Sequence, residues 1–195
     1  MARPSGRTYA PFTVPRIVRT PRIISVVAAV AAAALIAAGS AVAIDTMPGA
    51  STKPVVAPAK NRVTALLTSV LAGRHEGYDR VVFQFANTLP GYDVRYVERP
   101  VHQDGSGKVV RVNGTYIVQI RMLNALDADL TKRGAPRTYT GPTRFSPRTP
   151  EIAELVRTGG FEAVLTWAVG LHDRVDFRVT ALKAPARLVV DFRNH

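Results

Sequence analysis

Asn113-Gly114-Thr115-Tyr116-Ile117-Val118-Gln119-Ile120-Arg121-Met122 carries the reading of the fold. Side chains of an extended chain alternate faces, so Tyr116, Val118, Ile120 and Met122 share one face and Ile117, Gln119 and Arg121 the other. The same period of two recurs outward from this stretch. Val81, Phe83 and Phe85 alternate with Val82 and Gln84, and Tyr92, Val94 and Tyr96 with Asp93 and Arg95. Phe161, Ala163, Leu165, Trp167 and Val169 alternate with Glu162 and Thr166. Val175, Phe177 and Val179, then Leu188, Val190 and Phe192, repeat the pattern. β-branched and aromatic residues dominate these runs. Turn signals separate them at 73–77, Pro90-Gly91, 104–107, Asn113-Gly114 and 183–185. Asn113-Gly114 predicts a two-residue hairpin between 109–112 and 116–122. The expectation for 61–195 is an all-β, antiparallel β-sandwich with at most one or two short helices. One stretch stays open. Thr149, Pro150 and Gly159 could bound a helix carrying Ile152, Leu155 and Val156, or the same residues could form a strand.

The N-terminal quarter has a different character. Residues 1–22 hold five arginines and four prolines and no acid, a basic segment without apolar periodicity and expected to be disordered on the cytoplasmic side. Residues 23–44 then run 22 positions without a charge, ten of them Ala. A helix of that length just spans a hydrocarbon core of about 30 Å. The arginines before it and Asp45 after it orient the chain with its C-terminal part outside. Two readings compete, a single-span anchor and a signal peptide cleaved after the small-x-small stretch Ala41-Val42-Ala43. Residues 45–60, with Pro48, Pro54 and Pro58 among small residues, read as a linker to the domain at 61–195. Half of the formal +12 lies in the domain, which has 19 basic and 13 acidic residues. That is a modest excess for a nucleic-acid module, and the topology keeps the domain away from nucleic acid.

Catalytic chemistry finds little support. There is no cysteine, hence no thiol nucleophile or thiolate metal site. His75-Glu76, His102 with Asp104, and His172-Asp173 sit in predicted turns without a metal-ligand spacing, so neither a metal nor a cofactor is expected. Gly105-x-Gly107 lies between strands rather than before a helix, and no G-x-S-x-G elbow exists. Trp167, the only Trp, belongs to a core position on an alternating strand. The informative feature is a basic loop. Lys132, Arg133, Arg137, Arg144 and Arg148, with Tyr139 and Phe145 interleaved, lie in a stretch free of acids between Asp129 and Glu151. Guanidinium forks grip carboxylate or phosphate, and aromatic faces cover sugars. The loop reads as a contact for an anionic envelope polymer, or else as a solvated surface.

Four motifs in order carry a family likeness. They are Arg74-His75-Glu76-Gly77-Tyr78-Asp79-Arg80-Val81-Val82-Phe83; Pro90-Gly91-Tyr92-Asp93-Val94-Arg95-Tyr96-Val97; Gly160-Phe161-Glu162 with Leu165-Thr166-Trp167-Ala168-Val169-Gly170-Leu171; and Arg187-Leu188-Val189-Val190-Asp191-Phe192. Together they resemble the AMIN-like domain of actinobacterial envelope lipoproteins and secreted proteins, across nearly all of 61–195. That family looks related to the AMIN domain, a β-sandwich found beside cell-wall amidases and in pilus secretins and thought to bind peptidoglycan. The resemblance implies a non-catalytic cell-envelope module binding peptidoglycan or another wall polymer; the alternative is a protein-interaction module without polymer affinity. Many relatives are lipoproteins, and no Cys follows the apolar run here. The expected partners are therefore a cell-wall glycan or an envelope protein, with the membrane engaged through 23–44, or a secreted product if the run is cleaved.

A reporter active only in the cytoplasm, fused after His195, is expected to be silent; strong activity would overturn the topology. Sequencing the mature N-terminus separates the two readings, since a chain beginning at Ile44 identifies a signal peptide.

Overall fold

Val81, Phe83 and Phe85 are buried while Val82 and Gln84 are half-buried, so the period of two in the sequence is the period of burial. The computed structural model describes residues 47–60 and 62–195; the basic segment 1–22 and the apolar run 23–44 lie outside the described residues. In chain order the strands are β1 (Val55–Ala57), β2 (Ala65–His75), β3 (Tyr78–Phe85), β4 (Gly91–Val97), β5 (Val101–His102), β6 (Val109–Val110) and β7 (Tyr116–Leu123). They continue as β8 (Ala125–Leu126), β9 (Arg144–Phe145), β10 (Ile152–Phe161), β11 (Val164–Leu171), β12 (Phe177–Lys183) and β13 (Ala186–Arg193).

One sheet has the order β1-β4-β7-β11-β10-β9 and the other β12-β13-β3-β2-β8. All pairings are antiparallel except a two-residue parallel contact of β2 with β8. The described residues are all-β and contain no helix. The stretch 149–159, open between helix and strand, enters β10 at Ile152, and its inward residues Ile152 and Leu155 join the core.

The two sheets pack face to face. Val81, Phe83, Phe85, Leu188, Val190 and Phe192 of one meet Val118, Ile120, Met122, Leu165, Trp167 and Val169 of the other. Trp167 is fully buried and meets Phe83 edge-on, with centroids 5.9 Å apart. β11 is buried on both faces because the β5–β6 hairpin lies over its outer side. There Val101 and Val112 form a second apolar cluster with Ile117, Val156 and Ala168.

Three local readings differ from the sequence expectation. First, Asn113-Gly114 does not close a hairpin. β6 pairs with β5, while β7 pairs with β4 and β11. Gly114 instead lets the chain press against the backbone of Gly170 and Leu171, with φ of 111°, and a Cβ there would fall 2.7 Å from both. Second, the run from Phe161 to Val169 is broken. Glu162 and Ala163 adopt φ of 50° and 57° and form the two-residue turn of the β10–β11 hairpin. Third, the linker expected over 45–60 is built into the sandwich where it is described. Met47 is fully buried, Ser51 bridges Phe177, and β1 pairs with β4. Pro54 and Pro58 flank the edge strand β1, a position where a missing N–H costs little.

Two motif carboxylates tie the strands, Asp79 between the layers and Asp191 within one sheet. Asp79, fully buried, accepts the Glu151 and Ile152 N–H groups at 2.7 and 3.2 Å and so fastens β3 to the start of β10. Asp191 receives Arg80 across the ladder at 2.6 and 3.0 Å and Arg178 at 2.8 Å. Its side chain is 1% exposed, and the arginines are 31% and 26% exposed. Removing the charge of a buried acid while its partners stay is costly, at about 3–5 kcal/mol for a fully enclosed pair. Because both guanidinium groups reach solvent, Asp191→Asn is expected to lose about 3 kcal/mol or somewhat less. The check is a fall in urea midpoint with an unchanged slope.

Candidate functional site

The acid-free stretch of the sequence is not acid-free in space. Lys132 reaches Asp129 at 3.4 Å, Arg137 reaches Asp127 at 2.9 Å, and Arg144 reaches Glu154 at 2.8 Å. Arg144 also donates to the Arg111 carbonyl at 2.8 Å. Hydrogen bonds from Thr131, then Lys132, hold the Asp129 carboxyl below its usual range. Arg133 and Arg148 are exposed and make no ion pair among the described residues. Tyr139, expected as an aromatic contact for a ligand, is a core residue. It is 4% exposed, packs on Trp167 with centroids 6.1 Å apart, and donates its hydroxyl to the Pro142 carbonyl at 2.6 Å. Burial raises its pKa, with Arg157 acting the other way. Phe145 is half-buried against the same core.

The loop therefore seals one flank of the sandwich. β8 and β9 end the two sheets, and the chain between them closes the opening. Thr138 donates its hydroxyl to the Leu67 carbonyl at 2.7 Å, and the Thr143 carbonyl accepts Arg157 N–H at 2.7 Å.

Beside this seal lies a polar pocket of about 380 Å³ that the sequence did not reveal. It is lined by Gln103, Asp104, Thr143, Arg157, Phe161 and the backbone of 158–160. A bulge between Arg157 and Gly159 shapes its floor. The two glycines there are required: a Cβ on Gly159 would strike the Asp104 carboxylate, and one on Gly160 the Arg157 guanidinium. Asp104 Oδ2 accepts a hydrogen bond from the Thr166 hydroxyl. Arg157 is fixed by Asp127 at 2.7 Å and by the Gly159 carbonyl at 3.2 Å. Asp127 is shared with Arg137, which connects the pocket to the basic loop. Phe161 is 57% exposed, and its ring lies along Gly105.

On the opposite flank a groove of about 470 Å³ opens between β1 and β12, the other two sheet edges. Leu89, Pro90, Tyr92 and Ala186 line it, with Lys60 and Lys183 at its rim. Tyr96 lies elsewhere, donating to the Val175 carbonyl at 2.6 Å, and burial pushes its pKa up to about 12. Among the described residues no cluster of three or more His, Asp or Glu could hold a metal ion.

The ion pairs give the loop arginines unequal roles. Arg144→Ala would leave the Glu154 carboxylate, 5% exposed, without its cation, although the Asn113 N–H still donates to it at 2.9 Å. A loss of about 2 kcal/mol is expected, within the cost of an uncompensated buried acceptor. Arg133→Ala and Arg148→Ala are expected to stay within about 0.5 kcal/mol. Thermal or urea unfolding of the three variants checks the order.

Comparison with known proteins places this geometry. The family model described as the AMIN-like domain matches residues 65–194, from the first residue of β2 to just past the end of β13. No curated protein matches the chain, and no solved structure matches it. The match covers both sheets except β1, together with the sealing loop, the pocket and all four motifs, and the chain belongs to the AMIN-like domain family.

Proposed function

We propose that the domain is a non-catalytic cell-envelope module that holds a wall glycan, peptidoglycan foremost, in the polar pocket. The observation that carries this reading is Phe161, a solvent-facing ring set beside a carboxylate, a guanidinium, an amide and a hydroxyl. A sugar presents an apolar C–H face and a rim of hydroxyl groups. The ring covers the first, Asp104 accepts from the second, and Arg157 and Gln103 donate to it. Membership of the AMIN-like family supports the compartment and the absence of catalysis. Of the loop cations, Arg133 and Arg148 are free to draw in an anionic polymer, and Thr143 brings the loop to the pocket wall. Lys132, Arg137 and Arg144 act by holding the loop, and Phe145 by anchoring it. The apolar run 23–44 would keep the domain at the outer face of the cytoplasmic membrane, or release it if cleaved.

Retention of the protein on purified wall sacculi tests the reading. Phe161→Ala is expected to weaken retention about ten-fold, equivalent to about 1.4 kcal/mol. Arg133→Ala with Arg148→Ala is expected to weaken it at low salt only, because exposed charges are screened over about 8 Å at physiological ionic strength. If Phe161→Ala binds like the parent, the pocket is not the glycan site.

A further inference from the structure

Four strands end the two sheets, and they are not equally protected. β8 and β9 have two residues each, and β1 has three, flanked by Pro54 and Pro58. β12 has seven and no proline. A long edge is a template for another chain unless something covers it, because its outward N–H and C=O groups are unpaired. Among the described residues only the first residue of β12 is covered. Ser51 N–H donates to the Phe177 carbonyl at 3.0 Å, and Phe177 N–H donates to the Ser51 carbonyl at 3.1 Å. Arg193 N–H donates to the Asp176 carbonyl at 3.0 Å, which leaves both polar groups of Phe177 facing away from β13. The alternation of an antiparallel ladder turns those of Val179 and Ala181 the same way. Among the described residues neither has a main-chain partner on that side. The chain leaves Ser51 for β1 on the other sheet, so the rung is not continued.

Beside this open row lies the groove. Ala181, Lys183 and Ala186 form its near wall, Ala57, Pro58 and Lys60 its far wall, and Leu89 and Tyr92 its floor. An added strand would place alternate side chains there. No acid lines the groove, and neither Lys60 nor Lys183 has an ion pair among the described residues.

We propose that β12 docks an extended, acidic polypeptide segment of a partner protein as a further strand of its sheet. Main-chain hydrogen bonds at Val179 and Ala181 supply the attachment, and side-chain pockets and charge supply the selection. Carboxylates on the segment meet Lys60 and Lys183. A second copy of this chain is a poor occupant. Its β12, Phe177–Lys183, carries no carboxylate to set against Lys60 and Lys183 of the groove.

The test titrates a labelled peptide of alternating Val and Glu into the full-length protein and follows its fluorescence anisotropy. Methylating the peptide amides that would face β12 is expected to weaken binding ten-fold or more, and it leaves the protein itself untouched. Lys60→Glu with Lys183→Glu is expected to weaken it as much. Arg133→Glu with Arg148→Glu, and Phe161→Ala, are expected to leave it unchanged, which separates this edge from the glycan pocket. Equal binding of the methylated peptide overturns the strand addition. Insensitivity to the lysine exchange overturns the acidic partner. Displacement of the peptide by wall fragments assigns the groove to glycan, and its displacement by self-association assigns the edge to a second copy; either result overturns the proposal.

Discussion

The contact of Trp167 with Phe83 and Tyr139 is the constraint on which the other arrangements rest. Its indole is edge-on to a ring of the facing sheet and to a ring of the sealing loop. The indole Nε1 has no acceptor among the described residues. An unmet buried donor costs about 1–3 kcal/mol, so the ring is retained for its shape and area rather than its polarity. By filling the centre it sets the separation of the sheets. By meeting Tyr139 it holds the loop against the flank between β8 and β9. The bulge at Arg157 and Gly159, and the pocket it shapes, lie on the strand hydrogen-bonded to that of Trp167.

A sandwich of two open sheets has two flanks, and this chain treats them differently. One is filled by Tyr139 and tied by Thr138, with ion pairs to Asp127, Asp129 and Glu154 holding the cations outside. The other is bridged at one end by Ser51 and left open at the groove. The outer faces differ as well. β11 is covered by the β5–β6 hairpin, whereas Leu71 on β2 is 58% exposed. The polar pocket lies where the covering hairpin, the sealing loop and the end of β10 meet. Each of these segments has a structural reason to be there, and their junction leaves polar groups pointing at one space.

The sequence made the fold class legible because burial on one face imposes the period of two, and β3, β4, β7, β12 and β13 show it plainly. β2 does not show it, because a bulge near Thr68 shifts its phase against β3. The β10–β11 turn carries no sequence signal because Glu162 and Ala163 hold positive φ without glycine, whereas Asn113-Gly114 has the turn residues and serves a close approach instead. The candidate site was legible only as chemistry. Five cations and two aromatics were visible, but the acids that neutralise three of them come from outside the stretch, and Tyr139 is aromatic because the core needs it. By its period Phe161 falls on the face of Leu165 and Trp167. Only the turn beyond it, which ends β10, puts it in solvent.

The buried acids change what the charge count means. Asp79, Asp127, Asp129, Glu151, Glu154 and Asp191 are all under a tenth exposed. Burial raises the Glu151 carboxyl, with the Asp173 N–H it accepts at 2.9 Å acting the other way. These carboxylates hold backbone amides and guanidinium groups, and they contribute little field to the surface. The cations are distributed oppositely. Lys60, Lys108, Arg133, Arg148 and Lys183 stand in solvent. Glu76, Glu98, Glu162 and Asp173 are exposed too, so the basic character a partner meets is local, at Arg133 and Arg148 and at the groove lysines, rather than spread over the surface. Charge of this kind favours anionic wall polymers and acidic polypeptides alike. Discrimination between them therefore rests on geometry, with a ring and polar groups at one junction and an unpaired strand edge at the other.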